Sequence, residues 1–375
     1  MRHLGWMLTA AVALTFATAS IAQHQEKSGL QEKGGLDLTG PYDWVPGWLK
    51  TVEEGRIIHP VTVFAESEDR VFIGLNGTSP APTPDEHRLN WGYTASTPGS
   101  RVDHQVFVVD RNGKIIEEWS QWSQLFGALH KITMNPYDPE KHIWIIDRAS
   151  QQVMKFTHDG KKLVSTLGEK GVSGEDDKHF NRPADICWLP DGTFFVADGF
   201  ENNRVVKFDK DGKYLMAWGT KGTGPGQFNV VDAVTVDAKR RVYVTDRFNG
   251  RIQIFDENGK FLDQWPGFLQ PMKVMITPDQ HAWVLDGPAH RFAKFDLNGK
   301  LLDYWGVDAD PDRFGANGAR FFRAYIPGGL AWPHDFSVDP QGNLYVNDGR
   351  SWTIDKFVPK KNADKNRLMT QFKGK

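Results

Sequence analysis

Five stretches of the chain, beginning at Lys131, Asp185, Ala233, Lys273 and Asp335, can be laid in one register. Each reads as an alternating strand, a turn, a second alternating strand ending in an aspartate, another turn and a third strand. The aspartates are Asp147, Asp198, Asp246, Asp286 and Asp348. Four of the stretches close on Asp-Gly-Lys or Asn-Gly-Lys, the chemistry of a tight hairpin in which φ must turn positive. A fourth strand is expected after each, at Lys162–Gly168, Tyr214–Gly219, Phe261–Pro266, Leu301–Gly306 and Arg367–Phe372. A more divergent sixth unit precedes them, with strands at Val61–Ala65, Arg70–Leu75, His104–Asp110 and Ile115–Ser120. It is interrupted by an insertion rich in Pro, Ser and Thr, Asn76–Asp103, and a second insertion, Val307–Ala331, precedes the last unit. A four-stranded unit cannot bury both its faces alone, so such repetition constrains the fold more than any composition does. Six units predict an all-β chain: a six-bladed β-propeller of four-stranded antiparallel blades over residues 56–375.

The ends read differently. Residues 1–22 carry Arg2 and His3, an apolar run from Leu4 to Ala17 and a small-residue site at Ser20-Ile21-Ala22, which is the pattern of a cleaved signal peptide. Export follows, to the periplasm or the medium, with no stable membrane anchor after cleavage. Residues 23–55 read as an irregular N-terminal arm. The formal charge of −2 and the lack of a basic stripe argue against a nucleic-acid partner. With Cys187 the single cysteine, no intrachain disulfide is possible. A monomer acting on a small-molecule or peptide substrate is expected.

In a propeller the first strand of each blade lines the central channel, so equivalent residues at its start form a ring. Counting back from each strand-end aspartate puts His130, Ala184, Asp232, Met272 and His334 at one such level, with Val61 in the first unit. His, Asp and His thus fall on alternate blades, which lie about 120° apart around six blades. Two imidazoles and a carboxylate converging on an axis predict a site for one divalent transition metal, Zn²⁺, Mn²⁺ or Fe²⁺. The repeated strand-end aspartates are better read as turn residues bonding backbone amides than as metal ligands.

At these residues the chain resembles the NHL-repeat propellers, and among them the bacterial relatives of peptidyl-α-hydroxyglycine α-amidating lyase. The resemblance runs from about Val61 to Phe357 and is carried by VADGFENNRVVKF, TDRFNGRIQIF and WPHDFSVDPQGNLYVND. It implies a channel zinc on three histidines from alternate blades. His130 and His334 match two of them, and Asp232 stands at the third. It also implies a calcium at Asp335, with the carbonyls of Val61 and Ile132. A family tyrosine assigned to proton transfer falls on Phe200, which cannot act as a base. A family arginine that engages substrate is retained as Arg247, with Arg148 placed similarly in its own unit. Asn76 stands where another active-site arginine is expected, and Trp332 replaces a methionine; with Met272 at the channel level, these complete the expected substrate-binding set.

The implied reaction breaks the C–N bond of a carbinolamide, leaving an amide and glyoxylate. The expectation is a metal-dependent, lyase-like enzyme acting on a small carboxylate-bearing substrate. The Asp232 ligand would make the ion a weaker Lewis acid and favour harder metals. Two alternatives stay open: a non-catalytic propeller that binds a protein or glycan, and a metal-assisted hydrolase or lactonase. The Val307–Ala331 insertion, with Arg313, Arg320, Arg323 and Tyr325, is a candidate lid over the same mouth.

Overall fold

The computed structural model of the chain describes residues 38–50, 54, 56–80, 101, 104–306, 329–330, 332–349 and 352–370. The expected signal peptide lies outside the described residues, as do nearly all of the two insertions, including Arg313, Arg320, Arg323 and Tyr325.

Six four-stranded antiparallel sheets form the six blades. Their innermost strands are Arg56–Ser67, Leu129–Met134, Asp185–Trp188, Val231–Val236, Pro271–Ile276 and Pro333–Val338. Each of the first five blades runs outward in chain order. Blade six does not end as the repeat suggests. Its outermost strand is Tyr42–Val45, from the segment expected to be an irregular arm, and the stretch near Arg367 forms a short 3-10 turn, Lys365–Arg367. Tyr42 to Val45 pair antiparallel with Pro359 back to Lys356. The Trp44 indole donates to Asp355 at 2.9 Å, and the Met369 amide donates to the Tyr42 hydroxyl at 2.9 Å. The N-terminal segment thus closes the ring on the C-terminal one.

The repeated glycines do two jobs. Gly160, Gly259 and Gly299 sit in the outer hairpins at positive φ, where a side chain is strained. Each also faces a tryptophan on, or just after, the outer strand of the neighbouring blade: Trp119, Trp218 and Trp265 in turn. Gly40, just before the closing strand, faces Trp305 in the same way. The Trp119, Trp265 and Trp305 indoles are thereby buried between blades and that of Trp218 is half-buried, as part of the clusters that hold each blade to the next.

The strand-end aspartates have the structural role expected of them. Asp147 accepts the Ala128, Ala149 and Ser150 amides, Asp246 the Asn229 amide, Asp286 the Leu269 and Gln270 amides, and Asp348 the Trp332 amide. Each fixes the backbone just before an innermost strand, where the ring residues begin. At that level the pairing of several innermost strands slips: between Leu129 and Lys131, Val231 and Val234, Pro271 and Lys273, and Pro333 and Asp335. His130, Asp232 with Ala233, Met272 and His334 are the residues passed over in these registers. A bulge re-aims a side chain that a regular strand would commit to one face.

Candidate metal centre

Of the expected ligands, the structure brings His130, Asp232 and His334 together, with one donor atom from each lying within 4.8 Å of the others. The imidazoles of His130 and His334 meet edge to face, with centroids 5.1 Å apart. Both use Nδ1 on backbone oxygens: His130 on Ala184 at 2.8 Å and His334 on Val61 at 3.2 Å. A carbonyl can only accept, so Nδ1 carries the proton in each and Nε2 keeps its lone pair for the channel. Burial holds the His130 pKa down to about 3, against a weaker opposing pull from Asp232, and burial also lowers that of His334. Both are therefore neutral near pH 7.

His130 Nε2 and Asp232 Oδ1 lie 3.5 Å apart, both buried and without a hydrogen-bond partner. Read as an ion pair, this contact would need an imidazolium, which the burial opposes. Two buried acceptors facing one another are instead suited to a shared cation. In tetrahedral zinc geometry, with ligand bonds of about 2.1 Å, neighbouring donors stand about 3.4 Å apart. The donor set fits a divalent transition ion.

Asp232 is held from behind. Its Oδ2 accepts Arg247 Nη1 at 3.2 Å, and Arg247 Nε donates to Gln270 Oε1 at 3.1 Å. Arg247 is thus tied to the candidate ligand Asp232. Gln270, whose amide is bonded by Asp286, was not singled out in the sequence because its role depends on a neighbouring blade. Phe200 packs edge to face on His130, with centroids 5.1 Å apart. The Arg148 and Arg182 guanidinium carbons lie 5.5 and 5.9 Å from the centre of the Phe200 ring. Burial, then the charges of Arg182 and Arg247, lowers the Arg148 pKa, so the three guanidiniums share one field. Arg182, also missed in the sequence, sits at positive φ before blade three. Met272 lines the small void beside the three ligands. Asn76 has a buried Oδ1 with no hydrogen-bond partner, and Trp332 is anchored through its amide to Asp348.

Asp335 does not suit calcium. Its Oδ1 accepts Lys131 Nζ at 3.0 Å and Lys273 Nζ at 2.6 Å, and its Oδ2 accepts the Thr62 hydroxyl at 2.7 Å. These contacts hold its pKa far below the usual carboxylate range, chiefly through the two ammonium charges against the opposing effect of burial. The Val61 carbonyl named beside it is the acceptor for His334. Two ammonium groups already supply the countercharge a calcium ion would bring.

The sequence comparisons agree with this architecture. Residues 180–208, in blade three, match the family model described as NHL repeat. The chain is 30% identical over 287 residues to peptidyl-glycine alpha-amidating monooxygenase B of Xenopus laevis, covering 72% of this chain and 31% of that protein. It is 30% identical over 269 residues to peptidyl-alpha-hydroxyglycine alpha-amidating lyase 1 of Drosophila melanogaster, covering 66% of this chain and 47% of the relative. It is also 36% identical over 195 residues to NHL repeat-containing protein 3 of Homo sapiens, covering 48% and 55%. The chain therefore spans only about a third to a half of the length of these relatives. Among solved structures, streptogramin B lyase aligns with a TM-score of 0.54 at 12% identity, over 85% of this chain and 98% of that one, a likeness of fold.

Proposed function

Taking the chain as an NHL-repeat six-bladed β-propeller similar to the amidating lyases, we propose that it is a metal-dependent lyase for a small carbinolamide that bears a carboxylate. The observation that carries this reading is the pair of buried acceptors, His130 Nε2 and Asp232 Oδ1, facing each other at 3.5 Å beside His334. A divalent ion there would supply Lewis acidity toward the substrate hydroxyl. The chain's own residues do the rest. The two neutral histidines present lone pairs without competing protons. Arg247 keeps Asp232 turned toward them and partly offsets its charge. Arg148 and Arg182, with the remaining N–H groups of Arg247, offer a paired guanidinium grip for a carboxylate. Phe200 and Met272 keep the ring of ligands dry. In the reaction the hydroxyl loses its proton, its C–O bond becomes a carbonyl, and the C–N electron pair goes to the amide nitrogen, which takes up a proton. Glyoxylate and a primary amide result.

Phe200 favours a second reading, a propeller that binds without catalysis, because it puts an apolar ring at the position of the family's phenol. One experiment separates the two. The protein, purified without chelators or a histidine tag, is analysed for metal and assayed for glyoxylate release from N-benzoyl-α-hydroxyglycine, beside a His130→Ala/His334→Ala double variant. About one transition-metal ion per chain and glyoxylate release, both lost in a variant that keeps its β-sheet circular dichroism, support the lyase. Metal binding without release supports the binding reading. No metal after incubation with Zn²⁺, Mn²⁺ and Fe²⁺ overturns the metal centre. Export belongs to the same proposal, and a mature N-terminus at Gln23, read by mass spectrometry of the expressed precursor, is the expected result.

A further inference from the structure

One residue beyond the metal level, the channel holds a second ring of side chains. Thr62, Lys131, Asp185, Lys273 and Asp335 each follow directly on a residue of that level, in blades one, two, three, five and six. The two rings lie almost in contact, with only a void of about 10 Å³ lined by both. Hydrogen bonds tie the second ring together. Asp335 Oδ1 accepts Lys131 Nζ at 3.0 Å and Lys273 Nζ at 2.6 Å. Its Oδ2 accepts the Thr62 hydroxyl at 2.7 Å, and Thr62 Oγ1 in turn accepts the Ile132 amide at 3.2 Å. Asp185 stands 4.0 Å from Lys131, and its Oδ2 accepts the Val234 amide of blade four at 3.2 Å. All six blades are thus drawn into one buried network. Two ammonium groups meet two carboxylates in it, so the ring carries no surplus charge.

We propose that this ring positions the metal ligands, with Thr62, Lys131 and Lys273 as positioning residues. The proposal rests on the metal-centre reading. Its connectivity carries it. Lys131 and Asp335 directly follow the two histidine ligands, His130 and His334. Thr62 and Asp185 directly follow Val61 and Ala184, whose carbonyls accept from Nδ1 of His334 and of His130. A carbonyl and the next residue's amide lie in one peptide plane, so pinning the second residue limits the swing of the first. His130 and His334 sit where the strand pairing slips, and the ladder does not hold them. The bonds of Lys131 and Asp335 hold the residues next to them instead. Ligands aimed by the groups behind them keep their geometry only as well as those groups keep theirs.

Titration of the intact protein with Co²⁺, followed in its visible d–d bands and by chelator competition, tests this on Lys273→Ala and Thr62→Val. Lys273→Ala deletes an ammonium group, and by Coulomb's law alone that would tighten the binding of a nearby cation. Lost positioning acts the other way. Co²⁺ affinity should fall about tenfold or more, with altered bands, while the β-sheet circular dichroism is kept. Lys273 also lines the larger cavity, of about 580 Å³, beyond the ring, so a small solute has room to reach the gap. Propylammonium replaces the deleted methylenes and charge, and should restore the wild-type affinity and bands; 1-propanol should not. Thr62→Val removes only the hydroxyl that joins Asp335 to the Ile132 amide, and should also weaken Co²⁺ binding. Wild-type affinity and bands in either folded variant would overturn the proposal, as would recovery that 1-propanol matches or that propylammonium fails to give. Should Lys273→Ala fail to fold, Thr62→Val decides alone, since it removes no charge. A wild type that takes up no Co²⁺ would overturn the metal centre itself, and this proposal with it.

Discussion

A histidine that spends Nδ1 on a backbone carbonyl has one direction left in which to act. His130 and His334 both do this, and the carbonyls of Ala184 and Val61 thereby set which nitrogen faces the channel. Asp232 is aimed by Arg247, and Arg247 by Gln270. Arg247→Lys is therefore a sharp test of positioning. It keeps the charge but loses the fork that reaches Asp232 and Gln270 together, so metal affinity should fall about 10–100-fold. A competitive chelator titration measures this, and a purely substrate-binding role would leave that affinity unchanged while raising KM. Phe200 makes the opposite kind of prediction. Its ring already packs on His130, so Phe200→Tyr adds a hydroxyl at the level of the ligands with little repacking. If proton transfer limits the reaction, glyoxylate release should rise by about 10²-fold, the scale of general acid–base catalysis. A variant no faster than the wild type would mean that the phenol position is not what limits this chain.

At the scale of elements, the outer hairpins and the closing strand carry the testable energetics. A methyl at Gly299 would stand 2.6 Å from the Trp265 ring nitrogen, at a φ of +83°. Gly299→Ala should cost about 1–3 kcal/mol, a lowered Tm by calorimetry, from backbone strain and overpacking together. The closing strand has a pH dependence of its own. Burial raises the Asp355 pKa to about 7, opposed by the hydrogen bond from Trp44 and aided by Asp348. A folded-state pKa above the unfolded one means that the native protein binds the proton more tightly. That contribution is present at acid pH, below the unfolded value, and is lost as pH rises through about 7. Asp355→Asn, which stays neutral and still accepts from Trp44, should stabilise the fold by about 1–3 kcal/mol more at pH 8.5 than at pH 5. Urea unfolding at the two pH values checks it, and an equal effect at both would show that Asp355 is already ionised in the folded state at pH 5.

For the whole molecule the decisive feature is closure. Blade six is completed by Tyr42–Val45, so a chain starting at residue 38 should keep a cooperative unfolding transition, whereas one starting at residue 47 should lose it or unfold at a much lower temperature. Indifference to the second truncation would mean that the ring holds without its closing strand. The blade number was legible along the chain, because four-strand repeats punctuated by Asp-Gly and Asn-Gly turns have few ways to bury their faces. So was the placing of His130, Asp232 and His334 at one level on alternate blades, because the offset from the strand-end aspartates is a local property. The reading erred at the sixth blade, where Arg367–Phe372 copied the pattern of an outer strand. Which end of the chain supplies that strand depends on contacts more than 300 residues apart in sequence, such as Trp44 with Asp355. What remained was set by how the blades meet. Bulges let adjacent residues such as His130 and Lys131 both line the channel, where a regular strand would send them to opposite faces. That is why Asp335 could be expected to hold calcium from its place beside His334, yet meets two lysines from other blades. A charge reached across the ring leaves no local mark in the sequence.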